Sequence, residues 1–168
     1  ECKPKNAQGR GEVSMRHLIR SSLRMRPDRI IVGEVRGGEI IEMIQAMNTG
    51  HDGSLSTGHG TGVTGMLKRM EAMFLQAGEF PVDAIREQIA QAIDIVVQLA
   101  KIANTGRRVT EICEIVNYEG GRFKLNPIYR FTDGKLVKTH NELVNTEKMK
   151  LNGYYNEYLK WQEASTDD

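Results

Sequence analysis

The sequence has two cysteines, Cys2 and Cys113, and neither has a second Cys or a His at metal-ligand spacing. This excludes a disulfide scaffold and a cysteine-based zinc site, and it is the thiol usage of a reducing compartment. No apolar run approaches the roughly 20 residues needed to span a bilayer, and the opening ECKPKNAQGRGEV lacks the apolar segment of a signal peptide. The chain therefore reads as cytoplasmic. Also missing is any Gly-x-x-x-x-Gly-Lys-Ser/Thr string, the loop that cradles nucleotide phosphates. There is no internal repeat and no low-complexity segment. The first residue is not Met, and a polar, Gly-containing stretch runs straight into a helical pattern, so the sequence reads as a piece of something longer.

What is present suits one domain: 168 residues can bury a sizeable core. The net charge is only +1 but is unevenly spread. Residues 1–38 carry nine Lys/Arg against four Asp/Glu, whereas residues 139–168 carry three against six. A basic front calls for an anionic partner; a near-neutral whole argues against bulk nucleic-acid binding, and none is expected.

Residues 1–13, with Gly9 and Gly11 and no apolar period, read as a linker. Ser14 is a candidate N-cap for a helix through Met15, Leu18, Ile19, Leu23 and Met25, stopped by Pro27. Its other face carries Arg16, Arg20 and Arg24, a row of like charges four apart that wants an anion nearby. Arg29–Val32 reads as a buried strand of a parallel sheet, Gly37-Gly38 as a turn, and Glu39–Asn48 as a helix with Ile40, Met43, Ile44 and Met47 on one face and the acids Glu39 and Glu42 in its first turn. Ser54–Thr57 reads as a second strand. A helix with Met66, Leu67, Met70, Met73 and Phe74 on its apolar side follows, and Pro81 opens another with Ile85, Ile89 and Ile93. From Asp94 the period becomes two, and the Gly-containing links at 104–106 and 119–121 predict an antiparallel meander of three strands ending at Phe131. Residues 139–168 read as a helix-prone tail with Leu143, Met149, Leu151, Tyr154, Tyr155, Tyr158 and Trp161, frayed over Ser165–Asp168.

The chemistry concentrates in RIIVGEVRGGEIIEMIQAMNTGHDGSLSTGHG, Arg29 to Gly60. An apolar strand that delivers Glu34 at its C-terminal end holds a carboxylate on rigid backbone, as a nucleoside triphosphatase requires beside Mg²⁺ and the attacking water. Gly33 leaves room for phosphate or metal. Thr57 and His59 are two apart and project to one side if the strand persists, and parallel neighbouring strands bring Glu34, Thr57 and His59 toward one sheet edge. His51, Asp52 and His59 also raise a metal-site reading, but their spacing across a turn has no helix to fix it.

RMRPDRIIVGEVRGGE followed by TGHDGSLSTGH resembles the type II and type IV secretion (traffic) ATPases, most closely the tight-adherence (Flp) pilus assembly ATPases of CpaF type. The resemblance runs from about Gly11 to about Phe131. It implies an α/β fold, the part of a RecA-like P-loop core from the Walker B strand onward, with an antiparallel β-meander and C-terminal helices; residues 14–138 form the core portion and 139–168 the tail. It makes Glu34 the carboxylate that activates water and holds Mg²⁺ through its water shell, His59 a γ-phosphate contact and His51 a support. Gly33 and Thr57 border the nucleotide, Arg24 and Arg36 match arginines able to reach phosphate, and Glu39, Arg16 and Arg20 stand behind them. It further implies ATP and Mg²⁺ as cofactors, ring-shaped homohexamers, an inner-membrane platform protein as partner, and peripheral association with the cytoplasmic face of the membrane. Departures are the missing phosphate loop, the missing upstream acidic box, and His59-Gly60-Thr61-Gly62 where the family has His-Ala. The sequence alone is thus expected to be inactive. Two other readings stand beside the motor: a binding module whose Arg16, Arg20, Arg24 and Arg26 dock nucleic acid or an acidic protein, and an inactive assembly fragment.

Overall fold

A computed structural model describes residues 2–164, so the expected fraying of Ser165–Asp168 lies outside the described residues. The element order is α1 (Met15–Leu23), β1 (Ile31–Val32), α2 (Ile40–Asn48), β2 (Leu55–Ser56), α3 (Val63–Ala77), α4 (Val82–Ala92), β3 (Ile95–Ile102), β4 (Gly106–Glu119), β5 (Arg122–Thr132), β6 (Lys135–Lys138), α5 (Glu147–Leu151) and α6 (Tyr155–Ala164). Strands β1 and β2 pair in parallel, Ile31 opposite Leu55 and Val32 opposite Ser56. Strands β3 to β6 form a separate antiparallel sheet in chain order.

Ser14 caps α1 as its residue type predicts, its hydroxyl accepting from the His17 N–H while the His17 ring takes the Ser14 N–H. The helix ends earlier than expected, at Leu23. Arg26, which Pro27 disfavours from helical backbone, sits at φ 52°. Helix α2 packs on α1 and α4, α3 on α4 and β3, and α4 on β4. Their shared core holds Ile40, Met43 and Ile44 of α2, Leu67 and Phe74 of α3, Ile85 and Ile89 of α4, and Cys113 and Ile115 of β4.

The parallel strands are not buried on both faces. Val32 is 4% exposed but Ile31 is 71% and Leu55 61%. With two strands and the core on one side only, Ile31 and Val32 of β1 alternate between solvent and core, while Leu55 and Ser56 of β2 are both exposed. The 1–13 stretch is also more than an open linker: a Lys3–Val13 bridge closes it, and Asn6 Oδ1 accepts the Gln8 and Arg10 amides.

The meander has four strands, one more than expected. Its β4–β5 turn is Gly120-Gly121 at φ 59° and 76°, and its β5–β6 turn is Asp133-Gly134 at φ 51° and 81°. Both are two-residue links with the left-handed backbone that tight hairpins need. The tail docks on this sheet through Glu114, which is 1% exposed. Its carboxylate accepts the Asn145 N–H at 2.7 Å, the Val144 N–H at 3.0 Å and Asn126 Nδ2 at 2.7 Å. Lys148 of α5 adds contacts to Asp94 at 2.9 Å and Asp52 at 3.2 Å, and Tyr129 packs beside Trp161.

Glu114→Leu removes the acceptor for two backbone amides and should destabilise the chain by about 1–3 kcal/mol. Thermal melts and amide exchange check it: exchange at Val144 and Asn145 rises sharply, and unchanged protection there would show that Glu114 does not hold the tail.

Candidate active site

The site grows from the end of β1. Because the two strands run parallel, their carboxyl ends lie side by side, and the loops leaving them carry Glu34 and His59. Backbone bonds continue past the strands: the Val35 N–H donates to Thr57 O at 3.0 Å, and Thr57 Oγ1 donates back to Gly33 O. Thr57 therefore ties the two exits together. His59 follows on a loop closed over by α3, where a Cβ at Gly60 would lie 2.9–3.0 Å from Met66.

Glu34 has a side chain 20% exposed, and the side chains of Arg36 and His59 meet it. Arg36 Nε donates to Oε2 at 2.6 Å, with Arg36 Nη2 on the same oxygen. His59 Nε2 lies 2.8 Å from Oε1, at ion-pair distance but without the alignment of a hydrogen bond, so Oε1 is buried and accepts no aligned donor. The guanidinium of Arg36 and the ring of His59 are themselves largely in solvent, at 75% and 79% exposure. Nothing in their packing prevents them from turning to another anion.

The Arg36 hydrogen bond holds the Glu34 carboxyl below its ordinary range; partial burial opposes this, and the charges of Arg36, His59 and Arg69 reinforce it. Arg69, on the first half of α3, carries no sequence motif. Its place beside Glu34 follows from the Gly58–Gly62 loop, which turns the chain back over the strand ends.

The remaining expected residues divide. Gly33 is exposed and a Cβ there would meet nothing within 4 Å, so neither packing nor backbone of the described chain requires glycine at this point. His51 serves the scaffold, with Nδ1 donating to Ala46 O at 3.1 Å at the end of α2. Glu39 caps the turn before α2, its Oε1 accepting the Arg36 and Gly37 N–H groups at 2.8 and 3.1 Å. Arg24 is the C-cap of α1 and its guanidinium pairs with no described residue.

Arg16 and Arg20 need correcting: the anion they want lies within the chain. Glu42, 3% exposed, takes Arg16 Nε at 2.9 Å and Arg20 Nη2 at 2.8 Å. His51, Asp52 and His59 turn to Ala46, Lys148 and Glu34 respectively. Among the described residues no three His, Cys, Asp or Glu side chains are grouped to hold a metal. What the site offers is one largely buried carboxylate met by the exposed Arg36 guanidinium and the exposed His59 ring.

A depressed carboxyl stays charged above its unfolded value near 4.3 and gives up its contribution to stability as pH falls through its folded value. NMR titration of the Glu34 side chain should give a midpoint below the ordinary one, and Arg36→Met should raise it. An ordinary midpoint in the unaltered chain would refute the pairing.

The family model described as Type II/IV secretion system protein matches residues 3–152. Relatives include a Mycobacterium tuberculosis protein named for conjugal transfer, 41% identical over 68% of this chain and 32% of its own length. The type IV secretion system protein PtlH of Bordetella pertussis is 38% identical over 60% of this chain and 31% of its own. The VirB11 ATPase of the Brucella suis type IV secretion system, solved in complex with sulphate, superposes with a TM-score of 0.57 at 32% identity, covering 61% of this chain and 32% of that one. The chain thus spans about a third of the length of these relatives. Its architecture is part of a RecA-like α/β core, and the match over nearly all of its length places the chain in the type II/IV secretion system protein family.

Proposed function

We propose that the chain supplies the hydrolytic edge of an ATP site in a motor that powers type IV secretion or pilus assembly. The observation that carries this reading is Glu34: a carboxylate at the end of a parallel strand, kept ionised, with the exposed side chains of Arg36 and His59 against it. In this role Glu34 orients the water that attacks the γ-phosphate and receives its proton. Arg36 and His59 move from Glu34 to the phosphate oxygens, so the nucleotide's arrival frees the carboxylate. Gly33 supports the reading because it keeps open the space beside Glu34 although nothing in the described chain crowds it.

Mg²⁺ bound with ATP would neutralise charge on the β- and γ-phosphates. A single carboxylate fits the holding of such an ion through its water, not an all-protein cage. The phosphate-cradling lysine is not in this sequence, so ATP hydrolysis belongs to the longer protein and the chain alone is inactive. Arg24, free of described partners, is available to phosphate in its own or a neighbouring subunit. Homohexameric assembly, a platform protein at the inner membrane, and a cytoplasmic membrane-peripheral place follow from the same family reading. The basic-helix alternative loses support, because Arg16 and Arg20 are engaged by Glu42.

Two substitutions in the longer protein test the roles. Glu34→Gln should keep ATP binding and lose hydrolysis by about 100-fold or more, the scale of a lost general base; near wild-type turnover would end the assignment. His59→Ala should slow hydrolysis with ADP affinity unchanged. An equal loss of ADP binding would make His59 structural.

A further inference from the structure

Arg16 touches more than Glu42. While Nε meets that carboxylate, Nη2 donates to the carbonyl of Gly38 at 3.1 Å. Gly38 closes the short segment between β1 and α2 on which Glu34 and Arg36 lie. That segment is pinned at one end by the Val35 N–H on Thr57 O, and Val35 is 3% exposed. At the other end Gly38 is wedged: a Cβ there would lie 3.0 Å from the Cβ of Ala77 at the end of α3 and 3.5 Å from Arg16 Nη2. Glu39 then draws in the amides of Arg36 and Gly37. The guanidinium of Arg16 is thus the one group of α1 that grips both this turn and the buried anion of α2. Arg20 reaches only the anion.

We infer that Arg16 is a positioning residue for Glu34 and Arg36, acting through the Gly38 carbonyl and Glu42. This rests on the reading of Glu34 as the hydrolytic carboxylate. A planar guanidinium presents donors in two directions at once; a lysine ammonium on a flexible stem does not hold both. With Arg16 in place the turn is fixed relative to α1, and a shift of α1 shifts the backbone that aims Glu34.

The pair Arg16→Gln and Arg20→Gln isolates the effect, since each removes one contact to Glu42 but only the first frees Gly38. In this chain, amide exchange at Arg36 and Gly37 should rise about tenfold or more in Arg16→Gln and stay near that of the unaltered chain in Arg20→Gln, as expected for local opening of a turn. Equal exchange in the two variants overturns the inference whatever Glu34 does. In the longer protein, Arg16→Gln should lower kcat about tenfold with KM for ATP within about twofold, and Arg20→Gln should keep kcat within about threefold. Equal kcat losses, or none in Arg16→Gln, also overturn it. Glu34→Gln assayed alongside separates the two readings: normal hydrolysis in that variant overturns the role of Glu34, while the exchange contrast still decides whether Arg16 fixes the turn. If Arg16→Gln does not fold, Arg16→Lys carries the same comparison, keeping the charge beside Glu42 and losing the fork.

Discussion

Two residues on each of two parallel strands, Ile31-Val32 against Leu55-Ser56, bring together everything chemical in this chain. Parallel pairing aligns the carboxyl ends, so the next residues of both strands leave on the same side. Glu34 is two residues beyond β1 and His59 three beyond β2, and they meet at 2.8 Å. An antiparallel arrangement would place them at opposite ends of the pair. So short a ladder is weak by itself, and Thr57 lengthens it by receiving Val35 and donating to Gly33.

Two buried carboxylates organise what surrounds this edge. Glu42 sits between Arg16 and Arg20 and fastens α1 to α2; Glu114 gathers the amides of Val144 and Asn145 and fastens the tail to the meander. The arginine side chains on Glu42 stay 39% and 62% exposed and Glu114 is held by amides, so neither cluster adds much net stability, whereas leaving either buried carboxylate without its donors costs its desolvation. Their effect is therefore geometric: each lets one relative placement of two elements stand and penalises the others. Lys148, shared between Asp94 and Asp52, ties the docked tail to the turn that leads into β2.

Much of this was legible in the residues, and the exceptions have physical reasons. A strand-end acid and a Gly/Ser/Thr-rich loop with two histidines point to Glu34 and His59 as neighbours at one sheet edge, and they lie 2.8 Å apart. The arginine row was visible, but the helical period could not say which anion it meets. Glu42 is a buried position of α2 facing Arg16 and Arg20 of α1, hidden by the stronger Ile40, Met43 and Ile44 stripe. Strand β6 has its Asp133-Gly134 turn signal, but Lys135–Lys138 is too short and charged to show alternation. The exposure of Ile31 and Leu55 depends on what packs against the outer face of the pair, which no local pattern encodes. Arg69 has no local signal for the same reason: the path of the Gly58–Gly62 loop is what sets the charge of Arg69 on α3 to act on Glu34.

The most direct measurement is a structure of the longer protein with Mg²⁺ and a non-hydrolysable ATP analogue. The Glu34 carboxylate should lie within about one water of the γ-phosphate and its metal, with Arg36 and His59 turned from Glu34 to phosphate oxygens. A γ-phosphate about 10 Å or more from Glu34, beyond the reach of a bridging water, would contradict it.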